Sequence, residues 1–266
     1  MIGIVGGVGP LAGVDIVKKI IEETNARRDQ DHVPVLLSSQ SHRISDRTAY
    51  LLGKDPINPG YAISEIALEL EKAGATVLAI PCNTAHAPRI FDVIKDELQK
   101  NNSEVQILHL VEETAKFIQD HFPNAVVGVI STNGTRNTGL YKQVIERFDL
   151  KCIEPDDNLQ QKVHAAIYDE TYGIKAYSSP VTNRAHDELV ATIQELKNQG
   201  AQVIILGCTE LPLALREKSY YGLPVIDPNR ILARALINAI DPSKLNPATV
   251  QKYLEVVVKT FMRDRN

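Results

Sequence analysis

The chain has 266 residues, of which 44% are hydrophobic and 23% are charged. This balance is typical of a globular protein and excludes a disordered or coiled-coil chain. The formal net charge is -4 and no run of five basic residues occurs, which argues against a nucleic-acid partner because phosphate binding needs clustered Lys and Arg. No apolar stretch approaches the roughly 18 residues of a membrane span and no basic leader is present, so we expect a cytoplasmic protein without a membrane partner.

Apolar runs and helical periodicities alternate through the first half of the chain. The pattern predicts strands at residues 2–5, 33–38 and 76–80, and helices at 13–24, 61–72 and 90–98. The strands are continuously apolar, as strands buried on both faces are. This alternation predicts an α/β fold in which a parallel sheet is flanked by helices.

The second half of the chain repeats the scheme. A strand at 125–130 is followed by a polar loop at 131–135 and a helix near 141–148, and a later strand is predicted at 203–206. Helix-rich tails at 107–117 and 225–239 follow the two halves.

Two pairs of residues suggest that the chain is an internal duplication. Cys82 and Cys208 lie 126 residues apart, and Gly3 and Gly128, each in the first strand of its half, lie 125 apart. A duplicated α/β unit predicts two pseudosymmetric lobes whose equivalent strand ends face each other, so we expect the active site in the interlobe cleft. No linker rich in Pro, Gly or Ser separates the halves, which predicts lobes in tight contact.

The three cysteines are expected to be free thiols, because their number and spacing fit neither a disulfide framework nor a zinc site. Cys82 and Cys208 each follow a predicted strand and precede small polar residues that open a helix, a setting that favours thiolate. The alternative is that each fills a small buried space. Cys152 has no equivalent and is interpreted as structural.

Two opposed thiols suit a reaction that inverts a carbon centre. Inversion without a cofactor requires a base on one face of the carbon and an acid on the other. A thiol with an ordinary pKa near about 8.5 supplies either form near neutral pH. The two cysteines are therefore candidate acid/base groups that exchange roles between the two directions.

Four motifs along the chain resemble those of the aspartate/glutamate racemase family. They are IVGGVGP at 4–10, SDRT at 45–48, PCNTAH at 81–86 and GCTELP at 207–212. The resemblance implies two α/β lobes, proton exchange by Cys82 and Cys208, no pyridoxal phosphate or other cofactor, no metal, and a homodimer. It also implies a discontinuous first lobe, residues 1–105 plus 226–266, and a second lobe of residues 106–225.

The family resemblance also carries substrate-binding roles. An arginine and a lysine that contact substrate match Arg47 and Lys175, which offer a bidentate fork and a point charge for the two carboxylates of an acidic amino acid. A salt bridge with Asp46 or a helix-end contact is the alternative role for Arg47, and an ordinary solvated side chain is the alternative for Lys175.

Further candidates come from the loops that follow the strands. Asn83, Thr84 and Thr209 can donate to the α-carboxylate, and helix capping is their alternative role. The other residues expected to approach the site are Thr132, Val8 and Gly9.

The substrate prediction depends on one departure from the family pattern. Cell-wall glutamate racemases have His after Gly-Cys-Thr, whereas this chain has Glu210. This difference favours racemisation of L-aspartate to D-aspartate, with glutamate or a broad range of amino acids as alternatives. His86 either orients a thiol or caps its helix, and capping is favoured.

Other function classes stay open at this stage. A dicarboxylate isomerase of the maleate isomerase type also uses two cysteines, and arylmalonate decarboxylase usually has one. The scaffold could instead serve as an amino-acid-binding module, or the two thiols could form a redox disulfide. The glycines at 3, 6, 7 and 9 do not complete a dinucleotide fingerprint, so a nicotinamide enzyme is disfavoured.

Overall fold

The structure, a computed structural model, describes residues 1–249 and 251–255. Residues 250 and 256–266, which the sequence assigns to the first lobe, lie outside the described residues. By internal contacts the chain divides into two compact units, Met1–Glu113 with Asn229–Gln251, and Thr114–Pro228 with the segment that starts at Lys252. The boundaries at 105 and 225 stay a prediction from the sequence. None of the helices described is long and apolar enough to cross a membrane.

Strands and helices alternate along the described chain. The strands are β1 (Ile2–Gly6), β2 (Val35–Ser39), β3 (Val77–Ala79), β4 (Gln106–Ile107), β5 (Val126–Ser131), β6 (Lys151–Ile153), β7 (Val203–Gly207), β8 (Ser219–Tyr220) and β9 (Leu223–Ile226). The helices are α1 (Pro10–Glu23), α2 (Arg47–Leu51), α3 (Pro59–Lys72), α4 (Pro88–Lys100), α5 (Leu110–His121), α6 (Asn133–Asn137), α7 (Leu140–Arg147), α8 (Asp157–Tyr168), α9 (Asn183–Asn198), α10 (Leu211–Ala214) and α11 (Pro228–Ile240).

Each unit is built on its own sheet. The first sheet has the order β2-β1-β3-β4 and is parallel throughout, and the second has the order β6-β5-β7-β9-β8, in which only β8 runs antiparallel to its neighbour. The central strands β1, β3 and β7 are buried along their whole length, because helices cover both faces of such sheets. The predicted α/β fold with parallel sheets flanked by helices is confirmed.

Three predicted segments differ from the structure. Residues 225–226 belong to strand β9, and the helix starts only at Pro228, whose fixed φ suits the first helical turn. The tail predicted to be helical from 107 has residues 106–107 in β4 and becomes α5 at Leu110. The polar loop at 131–135 ends in helix α6, which Thr132 caps.

The two units repeat the same contact between helix and sheet. A Cβ on Gly3 would lie 2.4 Å from Leu78 Cδ2 and 2.8 Å from Ala75 Cβ, with Leu70 Cβ at 3.4 Å. A Cβ on Gly128 would lie 2.8 Å from Ile204 Cδ1, 3.1 Å from Ala201 Cβ and 3.3 Å from Leu196 Cδ1. Each of these residues lies 126 positions after its counterpart near Gly3. Gly74 and Gly200, also 126 residues apart, both have φ of +100°. The contacts therefore support the internal duplication.

A buried carboxylate on α1 binds helix α11, which comes late in the sequence. Glu23, at the end of α1, accepts hydrogen bonds from Arg230 Nη1 at 2.5 Å and Arg234 Nε at 2.9 Å, both on α11. Thr249 Oγ1 donates to the same carboxylate at 2.8 Å. Breaking a buried ion pair of this kind costs about 3–5 kcal/mol, so Glu23 fixes α11 on α1.

Replacing Gly3 with Ala is expected to lower the free energy of unfolding by about 1–3 kcal/mol, because the new methyl group overlaps Leu78 and Ala75 in a packed core. Chemical unfolding followed by circular dichroism measures the change. Gly13→Ala is the matched control, since its Cβ would meet only Leu37 Cδ1 at 3.2 Å and Gly6 Cα at 3.4 Å and Ala favours the helix. Equal losses in both variants would contradict the proposed close approach.

Candidate active site

Cys82 and Cys208 occupy matching positions in the two sheets. Gly3 pairs with Leu78 across β1 and β3, and Gly128 pairs with Ile204 across β5 and β7. Each cysteine lies four residues after the paired residue of its own strand. Because the strands are parallel, both thiols lie beyond the carboxyl ends of their sheets, where ligands of α/β proteins bind.

In the first unit, Cys82 caps a four-residue 3-10 helix, Asn83–His86. Its side chain is 8% exposed and belongs to the apolar cluster that contains Val8. Asn83 and Thr84, the predicted donors, are buried in the 3-10 helix. The thiol is thus enclosed by short, polar backbone turns and by apolar side chains.

Arg47 is buried at the start of α2 and points its guanidinium at backbone oxygens. Its Nη2 donates a very short hydrogen bond to the carbonyl of Val8, and its Nη1 donates to the carbonyl of Ser45 at 3.2 Å. The Asp46 carboxylate accepts from Ala49 N at 2.7 Å and caps α2. Helix α2 packs against the 3-10 helix after Cys82. The structure therefore brings Arg47 to the loop of Val8 and Gly9, where Gly9 caps α1.

His86 is buried and faces the backbone of Cys82 rather than its thiol. The Nδ1 atom lies 2.9 Å from the Cys82 carbonyl oxygen, and the ring packs on Phe91 and on His109 with centroid distances of 5.1 Å and 4.6 Å. Burial, together with the nearby His109, lowers the pKa of His86 to about 3. A neutral imidazole must donate from Nδ1 to this carbonyl, so His86 contacts the backbone at the start of its own 3-10 helix. The choice between a capping role and orientation of a thiol stays a prediction.

In the second unit, a carboxylate lies at the centre of the predicted residues. Cys208 Sγ donates to Glu210 Oε2 at 3.0 Å, and Thr209 Oγ1 donates to the same oxygen at 3.3 Å. Lys175 Nζ donates to Glu210 Oε1 at 2.7 Å and lies 5.2 Å from the ring centre of Tyr168. The structure thus joins Lys175, Cys208 and Thr209 through Glu210.

The expectation that a helix end favours thiolate is wrong for Cys208. The following helix α10 has four residues and no side-chain cap, so its dipole is small. Burial and the Glu210 carboxylate raise the pKa of the Cys208 thiol well above its ordinary value, and Lys175 offsets only part of the effect. At neutral pH this thiol holds its proton.

Thr132 uses its hydroxyl locally as the cap of α6. The oxygen accepts from Thr135 N at 3.3 Å and lies 3.2 Å from Thr135 Oγ1. The residue before it, Ser131, pairs with Gly207 across β5 and β7, which places Thr132 at the same strand end as Cys208. Cys152 lies within β6 rather than beyond a strand end, and burial raises the pKa of its thiol.

Two members of this site are not apparent as such from the sequence. Glu210 was noted only as a departure from the family pattern, although its position two residues after Cys208 allows contact with the thiol. Tyr168, on α8, gave no local signal because only the fold brings it to Lys175. Among residues 1–249 and 251–255, no group of three or more His, Cys, Asp or Glu side chains could hold a metal ion, and the three cysteines are free.

The chain matches a family model described as Asp/Glu/Hydantoin racemase over residues 5–236. It belongs to that family. It is 30% identical to a broad-specificity amino-acid racemase of Bacillus subtilis, over 90% of this chain and 97% of that protein. It is also 30% identical to a glutamate racemase of Pseudomonas aeruginosa, over 63% of this chain and 58% of that protein.

The fold is similar to solved structures of the same family. The aspartate racemase of Picrophilus torridus superposes with a TM-score of 0.73 at 27% identity, covering 90% of this chain and 93% of that one. Family and relatives together support an amino-acid racemase.

His86 is expected to make the fold sensitive to acid. Because its folded pKa of about 3 lies below the unfolded value of 6.5, the unfolded chain binds more protons between these pH values. The free energy of unfolding therefore falls as pH drops below about 6.5, by about 2–3 kcal/mol from this group between pH 7.5 and 4.5.

Chemical unfolding at the two pH values tests this expectation. His86→Gln should lose less stability on acidification than the natural chain, whereas the control His42→Gln, at an exposed histidine, should lose as much as the natural chain. Equal pH dependence in His86→Gln and the natural chain would refute the role of His86.

Proposed function

We propose that the protein racemises an amino acid without a cofactor, with Cys82 and Cys208 as the two acid/base groups. The observation that carries the proposal is the placement of two free, buried thiols at matching strand ends of two repeated units. Membership of the racemase family supplies the reaction class. The acid/base roles follow from the chemistry of inversion.

In the proposed reaction one thiol starts as base and the other as acid. A thiolate removes the Cα proton from one face of the substrate, and the opposite thiol delivers its own proton to the other face. The first sulfur is then protonated and the second is a thiolate, so the enzyme is poised for the reverse reaction. Charge that spreads into the α-carboxylate is stabilised by donors from Asn83 and Thr84 and by nearby backbone N–H groups. Thr209 contributes its backbone N–H, because its hydroxyl donates to Glu210.

Aspartate is the proposed substrate. Arg47 would bind one carboxylate with its planar guanidinium, and Val8 and Gly9 would shape the same side of the site. Lys175 would bind the other carboxylate while it keeps its bond to Glu210, since an ammonium has three donors. Thr132 would line the second side. The family resemblance further implies a homodimer, which light scattering after size exclusion tests.

A broad-specificity racemase is the second candidate. Two observations favour it: the charge of Lys175 is balanced by Glu210 within the chain, and the Bacillus subtilis relative has a broad specificity. Proton NMR of the protein with L-aspartate, L-glutamate and neutral amino acids in deuterated water, followed by chiral analysis, ranks the two candidates. Absence of exchange at Cα with all of them would overturn the proposal in favour of an isomerase or a binding role.

Replacing either cysteine with Ala is expected to reduce racemisation by roughly 10²–10⁴-fold, because one face of the substrate then lacks its proton donor or acceptor. The rate is measured by polarimetry or chiral chromatography from both enantiomers. Cys152→Ala is the matched control and should retain the rate of the natural chain. Substantial racemisation by Cys82→Ala or Cys208→Ala would refute the two-thiol mechanism.

Arg47→Lys is expected to raise KM for aspartate by about tenfold or more, since the ammonium cannot form the paired bonds of a guanidinium. A neutral amino acid, which lacks the side-chain carboxylate, should show a smaller change if Arg47 binds that group. Initial rates with the two substrates separate these cases. Equal changes for both would place Arg47 at the α-carboxylate or in a structural role.

A further inference from the structure

The Cys208 thiol donates a hydrogen bond to the carboxylate of Glu210. Glu210 is 8% exposed, and its two oxygens are shared between different partners. Oε2 accepts from Cys208 Sγ at 3.0 Å and from Thr209 Oγ1 at 3.3 Å, while Oε1 accepts from Lys175 Nζ at 2.7 Å. Lys175 forms an ion pair with this carboxylate, and the carboxylate accepts a hydrogen bond from the Cys208 thiol.

We propose that Glu210 is a positioning residue that keeps Cys208 in its thiol form, so that Cys208 begins the catalytic cycle as the acid. This inference rests on the proposed function, because it assigns starting roles to the two cysteines of that mechanism. Cys82 begins as the base. The enantiomer whose Cα–H faces Cys82 is therefore the one that reacts from the resting enzyme.

The proton balance follows from these roles. Cys82 takes the Cα proton. The Cys208 S–H turns from Glu210 to the opposite face of the carbanion, gives its proton there and leaves a thiolate. That thiolate lies beside the Glu210 carboxylate, and the repulsion favours its return to the thiol. In the reverse direction the Cys208 thiolate takes a proton and Cys82 gives one, so atoms and charge balance in both directions.

The groups around Cys208 decide how it titrates. Glu210 raises the pKa of Cys208 and Lys175 lowers it, while burial contributes the largest increase. Tyr141, on α7, is buried against the backbone at Gly207, and its hydroxyl has a raised pKa through burial and through its charge interactions with Cys208, Asp227 and Cys152. Tyr168, on α8, faces the ammonium of Lys175. Among these neighbours, Glu210 is the acidic residue that accepts a hydrogen bond from the Cys208 thiol.

The test measures the protonation of Cys208 without substrate. The full chain is labelled with ¹³Cβ-cysteine, its three resonances are assigned by single substitutions, and each is followed by NMR between pH 6 and 11. In Glu210→Gln the titration midpoint of Cys208 should fall by about one pH unit or more, because the amide keeps the shape and removes the charge. Glu195→Gln, at an exposed carboxylate on α9, should leave the midpoint unchanged.

A second variant keeps the test decisive if Glu210→Gln does not fold. Lys175→Gln removes the opposing charge, so Cys208 should remain a thiol to a higher pH than in the natural chain. An unchanged or raised midpoint in a folded Glu210→Gln variant would overturn the proposal, as would a lowered midpoint in Lys175→Gln.

Activity then links the titration to catalysis. The alkaline limb of kcat/KM should move to lower pH in Glu210→Gln, in step with the NMR midpoint, whereas a merely structural role would lower the rate at every pH without moving the limb. Failure of the natural chain to racemise any amino acid would refute the proposed function and leave the NMR result standing. A lowered midpoint with an unmoved alkaline limb would overturn the assignment of Cys208 as the starting acid.

Discussion

The close packing of the neighbouring strand, and of the turn before it, against Gly3 and against Gly128 is the constraint on which the site depends. Because neither glycine has a Cβ, Leu78 and Ala75 in one unit, and Ile204 and Ala201 in the other, pack directly against the strand. This packing fixes the position of the strand that precedes each cysteine. Each cysteine lies four residues after the residue that pairs with the glycine, so its position is fixed as well. Two side chains 126 residues apart in sequence thereby acquire the same backbone setting.

The same backbone setting does not give the two thiols the same chemistry. The short helices after Cys82 and Cys208 have four residues each and supply little dipole. What distinguishes the thiols is the side chains beside them. Cys208 donates to a carboxylate, whereas the polar neighbour across the Cys82 backbone is His86, which burial keeps neutral. Local contacts and desolvation therefore outweigh the helix end.

Hydrophobic patterning predicted the strands that carry the cysteines because β3 and β7 are continuously apolar and buried. It left residues 149–202 without predicted elements. Helix α9 lies there with a narrow apolar stripe (Ala185, Leu189, Ile193 and Leu196) among polar residues, and β6 has only three residues. The strand at 225–226 was taken for helix because its two apolar residues were joined to the helical spacing that follows Pro228. The helical spacing of the α9 residues is present in the sequence and was overlooked, whereas β6 and residues 225–226 are too short for a periodicity to emerge.

The candidate site, like the fold, could be predicted from the sequence only in part. Residue types and motif order predicted the two thiols, but the ion pair of Lys175 with Glu210 joins residues 35 positions apart, which only the fold brings into contact. That pair matters in the proposed mechanism, which places mirror-image substrates between two equivalent thiols. In that mechanism one thiol holds a proton at any moment and the other does not. A duplicated backbone supplies the symmetry. The side chain two residues after each cysteine differs, being Glu210 after Cys208 and Thr84 after Cys82, and in the proposed mechanism this difference breaks the symmetry.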